Sequence, residues 1–554
     1  MSYPLQTVGK RMEKHLDTSE KICYNNENFM PYVKMDNISQ QKGNTTTMRY
    51  LKVLFGRMAV VAAAIILQVL LFFVFLSVLN SYYNIIGVFG TIISIIVLIS
   101  IVNRDMITEA KITWVIVVLL MPLLGTLLYL LFAGNQQSRK QKRFLSEITK
   151  QSLPYNQNDP QALTQLREED AGYLGQATYI FRTTHQGAYS NTHTDFFDSG
   201  EHMWEDLLNE LRNAQHFIFL EFFIIEAGEM WNAVLAILEE KIRKGVEVRL
   251  MYDDIGSIGK VPKDYYKTLQ VLGIDCIKFH PFRPVITAVH NNRNHRKIVV
   301  IDGTTGYVCG LNLADEYINR IHPFGEWKDT GVKLRGPGVD GLTLMFLQDF
   351  DSQKVKLSSY APYLTRTTDT FAHSGVVVPY GDGPRPMYHE YVAENVYLNM
   401  ISQAKHYLWI TTPYLIIDNR LEGALCAAAQ RGVDVRIVTP HIPDKKMVFH
   451  ITRAHYPHLQ AAGVKIYEFT PGFLHAKQFL CDDICAIVGT INLDYRSLVH
   501  HFECGVWMYR TPCIPDIKQD FLRLFARSQN MSDFRQAWYT RWFCRLCATF
   551  FPLL

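Results

Sequence analysis

Two stretches of this 554-residue chain decide how its fold is interpreted: HRKIVVID at residues 295–302 and HAKQFLCD at residues 475–482. Each stretch has a His, a Lys two positions later and an Asp five positions after the Lys. An asparagine follows ten residues after each Asp, at Asn312 and at Asn492. Side chains two positions apart point to the same face of a β-strand. Each copy therefore predicts an imidazole and an ammonium group on one side of a strand.

The sequence around these stretches is also duplicated. Three segments of the first half recur in the second half: AQHF (214–217) as AKHY (404–407), GVEVR (245–249) as GVDVR (432–436), and LGID (272–275) as AGVK (462–465). The offsets of 190, 187 and 190 residues are too long for a solenoid repeat. Apolar strand-like runs alternate with helix-like runs, which indicates βαβ units and a largely parallel sheet. We predict two tandem α/β domains, at residues 195–365 and 370–540, that share a site at a pseudo-twofold interface.

The N-terminal part of the chain has a different composition. Three apolar segments of 22, 18 and 21 residues occur there: Met58–Leu79, Ile85–Val102 and Ile112–Phe132. At about 1.5 Å per residue the first and third can cross about 30 Å of hydrocarbon, and the second barely can. Basic residues flank both outer ends, which the positive-inside rule places in the cytoplasm. We therefore predict a multi-pass cell-membrane anchor with two crossings, three being the alternative, and catalytic domains on the cytoplasmic side.

Composition sets the remaining boundaries. Residues 1–50 are polar without apolar periodicity, which predicts a disordered tail. The anchor then occupies 51–134, a basic juxtamembrane linker 135–194 and a C-terminal tail 541–554. Lys and Arg exceed Asp and Glu by only 56 − 52 = 4, which argues against binding of nucleic acid by charge alone. The ten cysteines are sparse and irregularly spaced, so free thiols are expected.

Two facing copies of the pattern would make one site with two imidazoles and two ammonium groups. A neutral imidazole can attack phosphorus while a protonated one gives a proton to the leaving oxygen. Ammonium and amide groups can offset the charge on the other phosphate oxygens. No set of residues with metal-ligand spacing is evident, so we expect no metal or cofactor. The predicted catalytic residues are His295, Lys297, Asp302, His475, Lys477 and Asp482, with Asn312 and Asn492 binding substrate. Four other histidines are interpreted as surface or hydrogen-bonded residues: His322, His441, His500 and His501.

Both copies resemble the HxKxxxxD signature of the phospholipase D superfamily. From about Ile85 to the C-terminus the chain is most similar to bacterial cardiolipin synthases, through stretches such as TTPY (411–414), YEFTPGF (467–473) and the terminal PLL. The resemblance implies transfer of a phosphatidyl group between two phosphatidylglycerol molecules through a phosphatidyl-histidine, with release of glycerol. It also implies that His295 is the nucleophile and His475 the acid/base, and that Asp329 and Glu503 orient the imidazoles. Cys309 stands where the family usually has glycine.

Other acceptors remain open at this point. The same covalent intermediate serves a membrane-bound phospholipase D, which uses water, or a phosphatidyltransferase with another acceptor such as serine. Phosphatidylglycerol and membrane lipids are the expected partners. A nuclease is disfavoured by the anchor and the nearly neutral charge. A non-catalytic membrane scaffold is disfavoured because both motifs are complete.

Overall fold

The structure, a computed structural model, describes Leu70 and residues 83–133, 139–282, 291–364, 369–371 and 374–550, with the backbone alone for 83–88. The predicted polar tail and the first apolar segment, apart from Leu70, lie outside these residues. The chain divides into two units, Met1–Tyr82 and Tyr83–Leu554. All described residues except Leu70 belong to the second unit.

The described residues of this unit form helices α1–α15 and strands β1–β19. The helices are α1 Tyr83–Asn103, α2 Thr108–Leu120, α3 Pro122–Phe132, α4 Arg139–Ser152, α5 Pro160–Glu169, α6 Ala171–Thr184, α7 Gly200–Asn213, α8 Glu229–Arg243, α9 Tyr265–Val271, α10 Val339–Lys354, α11 Val392–Gln403, α12 Asn419–Gln430, α13 Lys446–Ala461, α14 Ile514–Ala526 and α15 Trp538–Ala548. The strands are β1 His193–Phe197, β2 Phe217–Phe222, β3 Glu247–Asp253, β4 Asp275–Phe279, β5 Ile298–Ile301, β6 Thr305–Cys309, β7 Glu326–Lys328, β8 Gly331–Arg335, β9 Val376–Asp382, β10 Tyr407–Thr411, β11 Leu415–Ile416, β12 Asp434–Pro440, β13 Lys465–Phe469, β14 Gly472–Leu474, β15 Gln478–Cys481, β16 Cys485–Gly489, β17 Leu493–Asp494, β18 Glu503–Tyr509 and β19 Ser528–Asn530.

Two large sheets repeat one topology. The first has the order β1-β8-β6-β5-β2-β3-β4, and the second has β9-β18-β16-β15-β10-β12-β13 with β19 added at its edge. This one-to-one correspondence is the structural form of the duplication seen in the sequence. Only the βαβ part of each sheet is parallel, namely β2–β3–β4 and β10–β12–β13. The other main-sheet neighbours pair antiparallel, so the expectation of a largely parallel sheet is wrong: each sheet is mixed.

The strands after the two HxK pairs lie at the centre of these sheets. Ile298–Ile301 and Gln478–Cys481 are buried along their whole length. Each covering helix packs its apolar side against a sheet. In α8, for example, the buried residues include Met230, Trp231, Val234 and Leu238. The burial of apolar residues on both faces of β5 explains the continuous IVVI run, since a strand covered on both faces shows no alternation.

The segment predicted as a linker is folded. Residues 139–184 contain three helices, α4 to α6, and Ala177 and Ile180 of α6 are buried in the main core. Gln176 Nε2 donates to the carbonyl oxygen of Val396 at 3.2 Å, which ties α6 to α11 of the second half. This segment therefore carries more structure than the predicted basic linker, and it packs on the core of the second half.

The third apolar segment is not one helix. It divides into α2 and α3 at Met121, where φ is −137° and ψ is 77°, because the following Pro122 disfavours the helical conformation of the residue before it. The two helices approach closely: a Cβ on Gly125 would lie 2.4 Å from the carbonyl oxygen of Val117. None of the described helices combines the length and apolar character needed to cross a membrane.

Short strand pairs connect the two halves where the motifs meet. β7 of the first half pairs in parallel with β14 of the second, Lys328 opposite Leu474. On the other side Asn294 forms a parallel bridge with Phe502. His475 N then donates to the carbonyl oxygen of Lys328 at 2.7 Å, and His295 N donates to that of Phe502 at 2.8 Å. Each motif histidine is thus fixed by the backbone of the opposite half.

Candidate active site

The two predicted histidines lie in buried positions between the halves. His295 and His475 are each only 7% exposed, and each stands three residues before its central strand rather than inside it. Extended backbone there still places the Lys beside the His: Lys297 Nζ donates to the carbonyl oxygen of His295 at 2.7 Å. Lys477 Nζ lies 2.7 Å from His475 Nδ1. The structure brings each predicted His and Lys together.

Each imidazole is held by a carboxylate of the other half. His295 Nδ1 lies 2.9 Å from Glu503 Oε1 and 3.1 Å from Oε2. His475 Nδ1 lies 2.6 Å from Asp329 Oδ2. Both carboxylates are completely buried. An N–H at Nδ1 that donates to a carboxylate fixes the tautomer and leaves Nε2 with a free lone pair.

The exchange of carboxylates follows from the short strand pairs between the halves. Asp329 comes directly after β7, which runs beside the residues leading to His475. Glu503 directly follows Phe502, the partner of Asn294. The contacts join positions 146 and 208 residues apart in sequence. Neither half therefore completes the surroundings of its own imidazole.

The small-residue turn after each motif supports these carboxylates differently. A Cβ on Gly310 would lie 2.0 Å from Asp329 Oδ1, so only glycine leaves room for this carboxylate. In the second half Thr490 donates its hydroxyl to Glu503 Oε2 and accepts from Cys504 N at 3.0 Å. Cys309, the departure from the family pattern, lies in β6 with its side chain in the core. The turn therefore forms without a glycine at that position. Thr490 is a supporting residue that the sequence analysis did not identify.

Burial and mutual repulsion make the site's bases unusually weak. Burial, followed by repulsion from Lys297 and Lys477, holds the pKa of His295 well below its ordinary value. Burial and Lys477 lower the pKa of His475 to about 4, although Asp329 opposes this shift. Burial lowers the pKa of Lys297 to about 8 and of Lys477 to about 7. An anionic phosphodiester between these groups would stabilise their protonated forms.

Asp329, the carboxylate that holds His475, has a lowered pKa and is ionised. Burial alone would raise the pKa of Asp329, but His475 and Lys477 together lower it below its usual value. A negative charge at this point stabilises an imidazolium without accepting its proton.

The carboxylates of the two motif aspartates bind backbone N–H groups where β2 and β10 begin. Asp302 accepts hydrogen bonds from the backbone N–H groups of residues 215, 216 and 217 at 2.7–2.8 Å. Asp482 accepts from those of residues 405, 406 and 407 at 2.7–2.9 Å. Both have a positive φ, 54° and 55°. These contacts give both aspartates a structural role, in which each joins its motif strand to β2 or β10; that they are also catalytic stays a prediction.

The two asparagines differ in what their amides bind. Asn312 Oδ1 accepts from Ile224 N at 3.0 Å, and Nδ2 donates to the Tyr317 hydroxyl at 2.6 Å. Asn492 Oδ1 is buried and has no hydrogen-bond partner among the described residues. Of the pair, Asn492 therefore has the polar atom that is free to bind a ligand, while Asn312 supports the local backbone.

His501, interpreted from the sequence as a surface or hydrogen-bonded residue, lies beside the imidazole of His295. His501 is buried, its ring centroid lies 5.6 Å from that of His295, and its Nδ1 lies 3.7 Å from Glu503 Oε1. Burial lowers its pKa to about 3. No pattern in the sequence indicates this position, because His501 belongs to no recurring spacing.

His295, His501 and Glu503 also form the one group in the described residues with the types and spacing of metal ligands, within 4.8 Å of one another. The electrostatics around this group oppose a cation, however. Lys297 and Lys477 both act on His295 with positive charge, and His295 Nδ1 already contacts the carboxylate. The site is therefore suited to an anion such as a phosphodiester.

Comparison with known proteins points to one family. A family model described as "Cardiolipin synthase, PLD-like domain" matches residues 207–322 and 397–525, and a phospholipase D-nuclease N-terminal model matches 92–134. The cardiolipin synthase of Halalkalibacterium halodurans is 35% identical over 508 residues, covering 88% of this chain and 99% of that protein. The cardiolipin synthase of Alkalihalophilus pseudofirmus is 36% identical over 416 residues, covering 74% of this chain and 81% of that protein.

A solved structure supports the same fold. The phosphatidylserine synthase of Haemophilus influenzae superposes with a TM-score of 0.51 at 14% identity, over 65% of this chain and 95% of that one. At this identity the likeness concerns the fold alone. The two matched domains and the relatives that align along most of the chain carry the assignment: the chain belongs to the cardiolipin synthase family, with two phospholipase D-like α/β domains.

Proposed function

We propose that the chain is a cardiolipin synthase that transfers a phosphatidyl group between two phosphatidylglycerol molecules and releases glycerol. The observation that carries this proposal is the pair of buried imidazoles between the halves, each hydrogen-bonded at Nδ1 to a carboxylate of the opposite half. This arrangement supplies a nucleophile and an acid/base to one phosphodiester.

In the first step, Nε2 of His295 forms a bond to phosphorus and the bond from phosphorus to the glycerol oxygen breaks. His475, protonated at Nε2, gives its proton to that oxygen, and glycerol leaves. Glu503 stabilises the positive charge on the phosphatidyl-imidazole. Lys297 and Lys477 offset the negative charge of the remaining phosphate oxygens. The unpartnered Oδ1 of Asn492 can accept a hydrogen bond from a headgroup hydroxyl.

In the second step, neutral His475 takes the proton from the free hydroxyl of a second phosphatidylglycerol. The oxygen of this hydroxyl forms the new bond to phosphorus, and the bond from phosphorus to His295 breaks. Cardiolipin is released and both imidazoles return to their starting states. The burial of both histidines supports transfer over hydrolysis, because a dry site disfavours attack by water.

We assign the nucleophile to His295 and the acid/base to His475. This assignment is supported by the difference in their surroundings. Burial, Lys297 and Lys477 lower the pKa of both imidazoles, to about 4 in His475, where Asp329 opposes the shift, and well below the ordinary value in His295. A group that must carry a proton is better served by the more basic position.

We further propose that the N-terminal region anchors the chain in the cell membrane, with the catalytic domains at residues 195–365 and 370–540 on the cytoplasmic side. The outward-facing apolar side chains of α1 to α3 support this, including Ile96, Leu120 and Leu130. Basic flanks on both sides of the apolar region support the cytoplasmic orientation. A two-tailed lipid substrate stays in the bilayer, so a tethered site meets it at the surface.

The test supplies purified protein in detergent with phosphatidylglycerol alone and resolves the products. We expect cardiolipin and free glycerol in equal amounts, and neither product from His475→Ala. Phosphatidic acid in place of cardiolipin would show that water is the acceptor and that the enzyme is a phospholipase D. A product that appears only when another alcohol is added would show a phosphatidyltransferase with a different acceptor.

A further inference from the structure

Helix α15 exposes an aromatic face. Trp538 is 74% exposed and Trp542 65%, and three further large apolar side chains on the same side are exposed: Tyr539, Phe543 and Leu546. These five positions follow the spacing i, i+1, i+4, i+5 and i+8, which lies along one side of an α-helix. We call these five residues the aromatic face. A patch of this kind on a folded protein marks an interaction surface.

The opposite side of α15 is anchored to the protein. Cys544 is buried with Ile107 and Ala110 at the beginning of α2 and with Ile451 of α13, and Cys547 packs against the same cluster. Thr113 donates its hydroxyl to the carbonyl oxygen of Thr549, just after the helix. Cys544 and Cys547 therefore both lie on the side of α15 that packs against the protein. The helix also includes residue 541, where the C-terminal tail was predicted to begin.

α15 is joined to elements that are themselves apolar on the outside. It docks on the beginning of α2, and α2 exposes Ile112, Leu119 and Leu120. α3 packs against α2 and exposes further leucines, among them Leu127 and Leu130. The aromatic face thus belongs to a run of contacting elements with uncovered apolar side chains.

The segment that contains α15 carries charge of one sign. From residue 534 to the C-terminus the sequence contains three arginines, Arg535, Arg541 and Arg545, and no Asp or Glu. Trp and Tyr are enriched where membrane lipids meet water. Basic side chains near such a surface are attracted to anionic headgroups. A helix with aromatic residues on one side and arginines beside them has the character of an interfacial membrane helix.

We propose that α15 lies on the surface of a bilayer containing anionic phospholipid, with its aromatic face in the interfacial layer, as a membrane contact separate from the N-terminal anchor. The two α/β domains would then be held at the membrane by the N-terminal anchor and by α15. The continuity with α2 and α3 and the arginines of the α15 segment favour a lipid surface over a second copy of this chain, whose identical arginines would repel across a shared helix contact.

The test uses the full chain reconstituted into vesicles of phosphatidylcholine and phosphatidylglycerol, with brominated lipids as quenchers of tryptophan fluorescence. Trp538→Phe/Trp542→Phe keeps the face apolar and removes its two indoles. We expect shallow-brominated lipids to quench the wild-type protein and this variant to lose most of that quenching. Trp204→Phe, at a buried position in α7, is the control and should keep it.

Two results would overturn the proposal. One is equal quenching of the wild-type protein and Trp538→Phe/Trp542→Phe, which would show that these indoles do not contact lipid. The other is absence of quenching together with a dimer that Trp538→Ser/Trp542→Ser converts to monomer, which would assign the face to a second copy. Thermal unfolding of each variant checks that it is folded. Because the readout needs no turnover, it is independent of the reaction proposed above.

Discussion

At the residue scale, the site consists of two similar but unequal halves. Asp329 reaches His475 because Gly310 leaves space for its carboxylate. Glu503, longer by one methylene group, reaches His295 and is held by the hydroxyl of Thr490. His501 stands beside His295, and Tyr317 and Trp327 stand beside His475. These differences give the two imidazoles of a duplicated domain different surroundings, in keeping with the different roles proposed for them.

Replacement of Glu503 tests the contact that holds His295, the proposed nucleophile. Glu503→Gln keeps the size of the side chain but removes the charge that stabilises a positively charged phosphatidyl-imidazole. We expect turnover to fall by about 10²–10⁴-fold with little change in unfolding temperature. Cardiolipin formation and thermal unfolding measure the two effects. Glu226→Gln, in a partly exposed ion pair with Lys260, is the matched control and should behave as wild type. Wild-type turnover in Glu503→Gln would refute the role given to this carboxylate.

The burial of His501 leads to a separate prediction about how the free energy of unfolding depends on pH. Its pKa of about 3 in the folded protein lies below the ordinary value of 6.5. The unfolded chain therefore binds more protons between these values, and the free energy of unfolding falls as the pH decreases from 6.5 toward 3. We expect His501→Asn to lose less stability than wild type in this window, by at most about 1.4 kcal/mol per pH unit. Denaturant unfolding across this range measures the difference. The exposed His216→Asn is the control, and parallel pH curves for wild type and His501→Asn would contradict the buried neutral state.

The sequence predicts which side chains form the site better than it predicts which carboxylate contacts which imidazole. The recurring spacing identifies both His–Lys pairs, and the family resemblance identifies Asp329 and Glu503. The sequence does not show that each carboxylate serves the other half's imidazole, because this depends on how the domains pair. Asp302 and Asp482 share the spacing of the motif, yet the contacts of their carboxylates with backbone N–H groups become visible only in the fold.

At the scale of single elements, the parallel pair β7–β14 sets the distance between Asp329 and His475. Gly472 allows the two strands to approach: a Cβ there would lie 2.1 Å from the carbonyl oxygen of Glu326. That oxygen belongs to the backbone and cannot move aside without shifting β7. The position of a catalytic contact thus depends on a glycine that is not part of the HxKxxxxD motif.

Gly472→Ala is predicted to separate β7 from β14 and so weaken the contact between Asp329 and His475. We expect cardiolipin formation to fall by at least about tenfold, since small displacements of positioned groups are costly, while each half stays folded. Gly423→Ala in α12 is the control, because a Cβ there meets nothing within 4 Å. That control should keep activity and gain about 0.5–1 kcal/mol of stability. Full activity in Gly472→Ala would show that the strand pair does not position the site.

The break between α2 and α3 at Met121 has a signal in the local sequence that hydropathy does not detect. A run of 21 apolar residues predicts one helix by length, but Pro122 interrupts it. The residue before a proline is disfavoured in the helical region, so this boundary was accessible from the sequence. The close approach of Gly125 to Val117 was not, because it depends on how α2 and α3 pack.

At the scale of the whole molecule, the duplication is the feature that the sequence predicts best. Three short matches at nearly constant offset correspond to two sheets of the same strand order. The sequence does not predict that β5, β6 and β8 pair antiparallel, because a βαβ pattern indicates only the parallel strands. It does not predict the packing of residues 139–184 on the core of the second half either. The contacts of α6 with α11 join positions more than 200 residues apart, and sequence patterns do not reveal such contacts.

The central claim is that one imidazole from each half acts on a single phosphodiester and that His295 carries the covalent intermediate. The most direct measurement is a rapid quench of the wild-type enzyme with labelled phosphatidylglycerol into alkaline denaturant, followed by peptide mapping. We expect a phosphatidyl group on the peptide that contains His295, and none in His295→Ala. A phosphatidyl group on His475, or full cardiolipin synthesis by His295→Ala, would contradict it.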